Sequence, residues 1–355
     1  MSAAAEAATT AAPILTVHDL KVHFPIPAGG LFRSRYVPLR AVDGVSFEVL
    51  PGETLGVVGE SGCGKSTLGR AVLQLVAPTA GQVVWMGRDI AGLDHRAMRP
   101  LRREMQIIFQ DPLASLDPRM TVGEIVAEPL RTHEPSLGRA EVRERVGAML
   151  EQVGLLPRMI NRYPHEFSGG QCQRIGIARA MILRPKLVVC DEPVSALDVS
   201  IQAQIVNLLT SLQREFGLSL IFISHNLAVV RHISHRILVL YLGRMMELAD
   251  RDTLYENPRH PYTQALISAV PVPDPVLERR KPRLVISGDP PSPLRPPSGC
   301  VFRTRCPKAT DLCAREVPAF EPVEEDTAHR VACHYWRETM PEVGKLPEGE
   351  RPAAA

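Results

Sequence analysis

The sequence predicts an α/β fold whose strands are interrupted by a helical segment and followed by a distinct carboxyl-terminal extension. Short β-type runs broken by glycine and proline occupy residues 15–99, and charged helical segments occupy residues 101–184. Strands alternate with helices again over residues 186–248. The composition changes after residue 255, which predicts a separate extension over residues 256–355. Residues 1–13 are rich in alanine and lack basic residues, so we expect a disordered tail and not a signal peptide.

The composition excludes several classes of protein. The 355 residues are 45% hydrophobic and 23% charged, which is typical of a globular chain with a substantial core. A formal net charge of +2 disfavours a nucleic-acid-binding protein, because such proteins usually carry a strong basic excess. No apolar run is long enough to span a bilayer. We therefore expect a cytoplasmic protein that reaches a membrane only through partners.

The first strands are predicted at Val45–Val49 and Thr54–Val58, and the second leads directly into a glycine-rich loop. The loop fits the pattern G-x-x-x-x-G-K-[ST], whose glycines let backbone N–H groups turn inwards around phosphate oxygens. We expect Lys65 to reach the β- and γ-phosphates and Ser66 to ligate Mg²⁺. The residues predicted to bind nucleotide here are Gly59, Ser61, Gly62, Cys63, Gly64, Lys65, Ser66 and Thr67.

The middle of the chain is predicted to be helical. Val142, Val146, Met149 and Val153 occur at spacings of three and four, which places them on one face of a helix. The alternation of charged and apolar residues continues to about residue 184. This segment is therefore predicted to form a helical subdomain.

The sequence Phe167-Ser168-Gly169-Gly170-Gln171 precedes a helical run over residues 172–184. A serine followed by two glycines begins a helix well, because the serine hydroxyl caps the first backbone N–H groups. The same hydroxyl and N–H groups, at the positive end of a helix, would also suit a γ-phosphate. These residues alone leave both interpretations open.

Two apolar strands end in residues that carry chemistry. The first, over residues 186–192, ends in Asp191 and Glu192. Next to a phosphate loop, Asp191 would hold Mg²⁺ and Glu192 would orient or deprotonate the attacking water. Without that loop, the pair would be an ordinary acidic turn. The second strand, Leu218–Ile223, precedes His225, and a lone histidine in such a place is more often structural than catalytic.

Taken in this order, the motifs resemble those of the ATP-binding subunits of ABC transporters, from about Leu15 to the end of the chain. Phe167 stands where that family more usually has leucine. The resemblance implies an ABC-type P-loop NTPase core over residues 14–255, with an antiparallel β subdomain and a helical subdomain inserted at about residues 101–184. It implies ATP and Mg²⁺ as cofactors. Each ATP would lie between the phosphate loop of one subunit and the Ser168–Gln171 element of another.

Three further residues acquire roles only through this resemblance. Gln110 resembles the glutamine that senses Mg²⁺ and the attacking water while it links the core to the helical subdomain. His225 occupies the place of the switch histidine that contacts the γ-phosphate. Asp198 closes the segment Ser195–Asp198, which resembles the loop joining the two active sites across the dimer.

The resemblance also calls for an aromatic ring before the phosphate loop that stacks on adenine. Phe24 is the first candidate and Tyr36 the second. Packing of Phe24 against the sheet is the alternative interpretation.

The extension is rich in proline and cysteine. Nine of the 27 residues in 271–297 are proline, which predicts an extended linker. Beyond it lie four cysteines, Cys300, Cys306, Cys313 and Cys333. Since cytosolic disulfides are rare, the set favours a metal. It lacks the close C-x₂-C pairs of zinc sites, whereas four thiolates could hold an iron–sulfur cluster; free or packed thiols are the alternative.

The segments Gly299–Pro307 and Ala332–His334 resemble the carboxyl-terminal extension of ATP-binding subunits from oligopeptide and dipeptide importers. This resemblance implies an ATPase that powers peptide import at the cytoplasmic face of the membrane, and a [4Fe-4S] cluster on the four cysteines. The implied partners are a second ABC ATPase subunit, identical or paralogous, two transmembrane permease subunits and an extracytoplasmic peptide-binding protein, with no nucleic acid.

Three alternatives stay open at this point: a soluble ABC ATPase in DNA repair or translation, an importer of nickel or an oligosaccharide, and an iron–sulfur redox protein. The first usually carries two cassettes or a long coiled coil between the phosphate loop and the signature. Here about a hundred residues separate Lys65 from Ser168, and one cassette is present. A redox protein would leave the set of ATPase motifs unexplained.

Overall fold

The structure is a computed structural model that describes residues 12–27, 36–271, 274–280, 284–324 and 326–338. The predicted amino-terminal tail therefore lies almost entirely outside the described residues. Contacts divide the described chain into two compact units. The first unit consists of residues 12–18, 46–55 and 68–224, and the second consists of residues 19–27, 36–45, 56–67 and the described residues after 224.

The strands, numbered in chain order, are β1 Leu15–Pro27, β2 Tyr36–Val49, β3 Thr54–Val58, β4 Ala80–Trp85, β5 Arg88–Asp89, β6 Met105–Ile108, β7 Leu187–Asp191, β8 Ser219–Ser224, β9 Arg236–Tyr241, β10 Arg244–Asp250, β11 Glu321–Val323 and β12 Asp326–Val331.

The α-helices are α1 Lys65–Val72, α2 His95–Arg102, α3 Val122–His133, α4 Arg139–Gln152, α5 Gly169–Met181, α6 Val199–Phe216, α7 Leu227–Ile233, α8 Arg251–Glu256, α9 Pro261–Ser268, α10 Pro275–Arg280 and α11 Asp311–Arg315. Short 3₁₀ turns cover Pro157–Asn161 and Pro164–Glu166. In the described part of the chain, no helix is both long and apolar enough to cross a membrane.

The first unit contains parallel strands in the order β8-β7-β6. β7 pairs with β6 on one side and with β8 on the other, where Val188 lies opposite Leu220. Every residue of β7 and β8 is buried, as expected for parallel strands covered on both faces. The apolar strands predicted over residues 186–192 and 218–223 are confirmed to within one residue at each end.

Antiparallel strands form a second sheet in the order β2-β1-β4-β5. In the first unit, Ile14 N donates to Val49 O at 2.9 Å and Met86 N donates to Ile14 O at 2.9 Å. The predicted strand Thr54–Val58 is confirmed as β3, and Val45–Val49 is the end of the longer β2. The predicted α/β class with an antiparallel part is therefore confirmed.

The helical segment of the first unit begins with a reciprocal cap at α3. Thr121 N donates to Glu124 Oε2 at 2.8 Å, and Glu124 N donates to Thr121 Oγ1 at 3.3 Å, so each side chain satisfies a backbone donor of the first turn. α3 packs against α4 and α5. On α4, Val146 and Met149 are buried and Val142 is half-buried, which confirms the predicted helix face.

The second unit contains antiparallel strands in the order β9-β10-β12-β11. β12 comes from the predicted extension and pairs with β10, where Glu247 lies opposite Val331. The buried carboxylate of Glu247 accepts a hydrogen bond from His260 N at 3.0 Å and lies 2.8 Å from His329 Nε2. The extension thus contributes a strand, and a buried polar contact, to the same sheet as residues 236–250.

The proline-rich stretch of the extension differs from its prediction. Residues 275–280 form the short helix α10, although an extended linker was expected over residues 271–297. The reason is local: Pro275 is the first residue of the helix, where a missing N–H costs nothing, and the next five residues contain no proline. The prediction of an extended chain is therefore wrong for these six residues.

Candidate nucleotide site

The phosphate loop joins β3 to α1 in the second unit and packs closely against neighbouring backbone. A Cβ atom at Gly59 would lie 2.1 Å from Leu240 O, and one at Gly64 would lie 2.0 Å from Ala41 O. Gly64 also has a φ of 105°, which side chains rarely adopt. These two glycines are therefore required by the close approach of other strands as well as by the turn.

Lys65 holds the loop closed from inside. It is 4% exposed, and its Nζ donates to Gly59 O and to Glu60 O, both at 2.9 Å. Ser66 and Thr67 follow in the first turn of α1 and are half-buried. Burial raises the pKa of the neighbouring Cys63 thiol, which lies 4.0 Å from Lys65 Nζ, so Cys63 is a neutral packing residue. The nine residues 59–67 thus contain one ammonium group and three hydroxyls, those of Ser61, Ser66 and Thr67.

In the first unit, the structure brings together two residues that lie 82 positions apart in the sequence. Gln110 Nε2 donates to Glu192 Oε2 at 3.1 Å. Glu192 follows β7 directly, has a φ of 48° and donates its N–H to Ile223 O at 3.1 Å. A non-glycine residue held in this region is strained by about 1–3 kcal/mol, and such strain clusters at functional sites. This backbone turn aims the Glu192 carboxylate towards Gln110.

Asp191 ends β7 and is 1% exposed. Its Oδ2 lies 3.4 Å from Arg70 Nη2. A buried carboxylate needs a cationic or hydrogen-bonding partner, and Arg70 supplies one within this unit. A carboxylate in such a place offers oxygen ligands of the kind that Mg²⁺ prefers.

The Ser168–Gln171 element forms a reciprocal cap at the start of α5. Ser168 N donates to Gln171 Oε1 at 3.0 Å, and Gln171 N donates to Ser168 Oγ at 3.4 Å. Ser168 and Gly169 are exposed. A Cβ at Gly170 would lie 2.7 Å from Ile201 Cγ2, so α6 demands the second glycine. The helix-start interpretation is confirmed, because Ser168 is the N-cap and the helix begins at Gly169.

Asp198 and His225 lie in caps or turns. Asp198 Oδ1 accepts from Ser200 Oγ at 2.8 Å and from Ile201 N at 3.1 Å at the start of α6, and these hydrogen bonds lower the pKa of Asp198. Val199 beside it is 82% exposed. His225 is exposed directly after β8.

Both adenine-stacking candidates lie in the second unit with the phosphate loop. Phe24 is half-buried in β1, and Tyr36 at the start of β2 is 61% exposed. Next to Phe24, His23 Nε2 lies 3.0 Å from Asp43 Oδ1, whose other oxygen accepts from Arg244 Nη2 at 2.8 Å. These partly buried contacts of Asp43 fix the strand on which Phe24 lies, and the choice between the two aromatic residues stays a prediction.

Two residues that the sequence did not single out contact the phosphate loop from the extension. Glu60 N donates to Tyr262 Oη at 2.9 Å, and Arg305 Nη1 donates to Glu60 Oε2 at 2.7 Å. Burial opposes the charge on Arg305, but its hydrogen bond to Glu60 raises the pKa of the guanidinium above its ordinary value. The only sequence signal for Arg305 is its place beside Cys306.

The four cysteines of the extension lie near one another. Cys300 N donates to Cys313 O at 2.8 Å. Burial raises the pKa of Cys306 to about 11 and of Cys333 to about 12, and each of the other three thiols adds to the rise at Cys333. Among the described residues, no group of three or more His, Cys, Asp or Glu side chains has a spacing that could hold a metal ion.

The parallel strands, the glycine loop before α1 and the Gln110–Glu192 pair beside the inserted helices define an ATPase of the ABC class. Residues 42–195 match the family described as ABC transporter. Residues 246–313 match the family described as oligopeptide/dipeptide transporter, C-terminal region.

Among curated relatives, the oligopeptide transport ATP-binding protein OppF of Salmonella typhimurium is 62% identical over 90% of this chain and 95% of its own length. AppF of Bacillus subtilis is 53% identical over 91% of this chain and 97% of its own length. A solved dimer of the ATP-binding cassette MJ0796, in a post-hydrolysis state with ADP and Pi, has a TM-score of 0.60 and 28% identity over 67% of this chain and 98% of that chain. The chain therefore belongs to the family of ABC transporter ATP-binding proteins that includes OppF and AppF, and it is an ATPase.

Proposed function

We propose that this protein powers the import of oligopeptides by ATP-driven closure of a pair of ATPase subunits coupled to transmembrane permeases. The similarity to OppF and AppF along nearly the whole chain supports the cargo. The observation that carries the hydrolytic role is the hydrogen bond from Gln110 to Glu192, at 3.1 Å, on strained backbone directly after β7. Dipeptides, nickel or an oligosaccharide are the competing cargoes.

The residues of the phosphate loop bind the triphosphate in this proposal. Lys65 transfers its hydrogen bonds from Gly59 O and Glu60 O to oxygens of the β- and γ-phosphates. The hydroxyl of Ser66 ligates Mg²⁺. The backbone N–H groups of the loop, at the positive end of α1, add further donors, as Gly59, Ser61, Gly62, Cys63, Gly64 and Thr67 were predicted to do.

The strand-end residues complete the chemistry. Asp191 would hold Mg²⁺, and Glu192 orients or deprotonates the attacking water. Gln110 contributes to both by sensing the metal and the water, and His225 contacts the γ-phosphate. Phosphoryl transfer needs positioning and charge stabilisation more than covalent chemistry, which fits a set made of carboxylates, an amide and an imidazole.

The Ser168–Gln171 element serves the partner subunit. Its hydroxyl and first N–H groups are exposed at the positive end of a helix of 13 residues, which supports binding of a γ-phosphate held by a second subunit. Asp198, capping α6, belongs to the loop that links the two active sites. The partner is a second copy or a paralogue.

We place the protein at the cytoplasmic face of the membrane as a peripheral subunit. Its partners in this proposal are two transmembrane permeases, which the helical subdomain near residues 110–126 contacts, and an extracytoplasmic peptide-binding protein. In support, Leu113 in this segment is 56% exposed, and an exposed large apolar side chain is suited to a protein contact.

The transport proposal is tested with the complete assembly, purified in detergent and reconstituted into liposomes. We expect ATP-dependent uptake of a labelled oligopeptide, and loss of uptake with Glu192→Gln. Uptake of nickel or an oligosaccharide in place of peptide would overturn the cargo. A protein that copurifies with no permease would support a soluble ABC ATPase.

We also propose that Cys300, Cys306, Cys313 and Cys333 hold a [4Fe-4S] cluster. Four cysteine thiolates are a ligand set of such clusters, and Cys300, Cys306 and Cys313 lie close enough to Cys333 to raise its pKa, although among the described residues no three of these side chains have the spacing of a site for a single metal ion. A bound cluster would cross-link the segments that carry these cysteines and could store one electron. Anaerobically purified protein should then be brown with broad visible absorbance. Cys306→Ser should lose the colour and Cys172→Ser should keep it, whereas colourless, iron-free wild-type protein would refute the cluster.

A further inference from the structure

Glu60, at the start of the phosphate loop, is held by three different groups of the second unit. Its carbonyl accepts from Lys65 Nζ at 2.9 Å, its N–H donates to Tyr262 Oη at 2.9 Å, and its carboxylate accepts from Arg305 Nη1 at 2.7 Å. Lys65 belongs to the loop itself. Tyr262 and Arg305 lie about 200 and 245 residues further along the chain, in the extension.

The two contacts from the extension rest on a rigid aromatic group. Tyr262 is fully buried, and its ring centroid lies 4.8 Å from that of Tyr241 and 5.3 Å from that of Phe302, with the rings tilted or edge-on. The guanidinium of Arg305 lies 6.0 Å from the centroid of Tyr241. Aromatic pairs in these arrangements stabilise one another beyond simple burial. The hydroxyl of Tyr262 and the guanidinium of Arg305 are therefore presented to Glu60 in fixed positions.

The negative charge of Glu60 is also unfavourable in a loop that binds a triphosphate. Its carboxylate adds negative charge beside the place where phosphates are to be bound, and like charges repel. Arg305, whose side chain is 8% exposed, neutralises that charge in a pair that solvent screens only weakly. When Lys65 transfers its hydrogen bonds to phosphate, Tyr262 and Arg305 continue to hold the end of the loop where Glu60 lies.

We propose that Arg305 and Tyr262 are positioning residues for ATP binding, through which the carboxyl-terminal extension forms part of the nucleotide site. They act through Glu60 and do not touch the nucleotide. This inference rests on the proposed ATP-binding role of the loop. It assigns the extension a role in every ATPase cycle, independent of the cargo and of any metal on its cysteines.

The test is a double-mutant cycle on the full-length protein, with ATP affinity measured by titration calorimetry. Arg305→Ala should raise the Kd for ATP about tenfold, as expected for loss of a partly buried charged hydrogen bond that leaves a carboxylate unpaired. In the Glu60→Gln background, the same change should raise the Kd no more than about twofold, because no charge is left unpaired. Arg305→Lys should restore part of the affinity.

Arg303→Ala is the matched control, because Arg303 bonds to Ser298 within the extension and not to the loop. It should bind ATP as the wild type does. An equal loss from Arg305→Ala in both Glu60 backgrounds, or a loss no larger than that of Arg303→Ala, would overturn the inference. The Kd of Lys65→Ala for ATP is measured in the same experiment. Normal binding by this variant would show that the loop does not bind ATP, which is a different failure from a loop that binds ATP without help from the extension.

A second variant keeps the inference testable if Arg305→Ala does not fold. Tyr262→Phe preserves the buried ring and removes only the hydroxyl that accepts from Glu60 N. We expect a several-fold rise in the Kd for ATP, with a far-ultraviolet circular dichroism spectrum like that of the wild type. Normal affinity in a folded Tyr262→Phe protein would show that the extension does not position the loop.

Discussion

The phosphate loop and the Ser168–Gln171 element both offer helix N-termini to phosphate, but they are stabilised in different ways. The loop is held by distant segments of its own unit, including the N–H of Gly243, which donates to Cys63 O, and the side chains of Tyr262 and Arg305. The start of α5 is exposed, and the side chains of Ser168 and Gln171 each accept from one backbone N–H of the cap. We infer that the first site is preformed and that, in the proposed pair of subunits, the second exchanges its cap for a phosphate that the other subunit brings.

This difference predicts that ATP binding and ATP hydrolysis depend on different elements. We therefore expect the loop to bind ATP in a single subunit, because its backbone is already held in place. A helix start that satisfies its own donors gains from a phosphate only when that phosphate arrives already bound and oriented. Binding should therefore depend on the loop, and turnover on both elements.

The largest effect is expected at the loop. Lys65→Ala removes the buried ammonium group and leaves two carbonyls of the loop without their donor. We expect ATP affinity to fall by about a hundredfold or more, since charged hydrogen bonds to phosphate are among the strong ones. Titration calorimetry on the purified chain measures it. Lys186→Ala, which removes a surface lysine paired with Glu104, is the control and should bind ATP normally. Unchanged ATP affinity in Lys65→Ala would contradict a preformed phosphate loop.

The next effect separates binding from hydrolysis. Glu192→Gln keeps an oxygen that can accept from Gln110 but removes the basic carboxylate. Hydrolysis should fall by about a hundredfold or more while the Kd for ATP stays within about twofold. Phosphate release under saturating ATP is the measurement. Glu141→Gln, at an exposed carboxylate paired with Arg145, is the control, and near-normal turnover of Glu192→Gln would place the catalytic role on another residue.

A smaller effect is expected at the start of α5. Ser168→Ala should lower kcat about tenfold at saturating ATP without changing ATP affinity, because the hydroxyl acts on the nucleotide of the other subunit. The cap itself is worth about 1 kcal/mol of stability, which the variant also loses. Thr121→Ala removes a cap of the same type at α3 and controls for that loss.

The outcome that breaks the comparison is a loss of ATP affinity in Ser168→Ala that Thr121→Ala does not share. It would mean that the helix start binds the nucleotide of its own subunit. Equal kcat in both variants would instead leave the helix start with a structural role alone. Mixing Ser168→Ala subunits with Lys65→Ala subunits adds a direct check, since one of the two sites in a mixed pair would be intact.

The local parts of the site followed from the sequence, because a glycine loop between a strand and a helix is specified by neighbouring residues. Thr54–Val58, the loop and the cap of Ser168 are of this kind. The contact between Gln110 and Glu192 was not predicted: both residues were assigned to the attacking water, Gln110 only through resemblance, and no spacing rule links residues 82 positions apart. Side-chain pairs of that range depend on how the strands are ordered, which a single sequence states only weakly.

The contacts of the extension were not predicted. The proline-rich composition indicated a linker and did not predict β12. The pairing of β12 with β10 joins residues more than 80 positions apart. Glu60 and Arg305 are separated by 245 residues and belong to no common pattern. The four cysteines form a pattern that indicates metal binding. Arg305, which lies beside Cys306 and contacts the loop, belongs to no such pattern.

The smallest effect on ATP affinity is expected at the residue that stacks on the adenine base. Phe24→Leu keeps an apolar side chain of similar size on β1 but removes the aromatic face. If Phe24 stacks on adenine, the Kd for ATP should rise about fivefold, within the range measured for stacking of bases on aromatic side chains, and the Kd for inorganic triphosphate should not change. Tyr36→Leu serves as the paired variant on β2. Only an aromatic face in contact with the base distinguishes ATP from triphosphate. Equal losses of affinity for the two ligands in Phe24→Leu would therefore mean that Phe24 only packs against the sheet. A loss of ATP affinity confined to Tyr36→Leu would assign the stacking role to Tyr36, the more exposed ring.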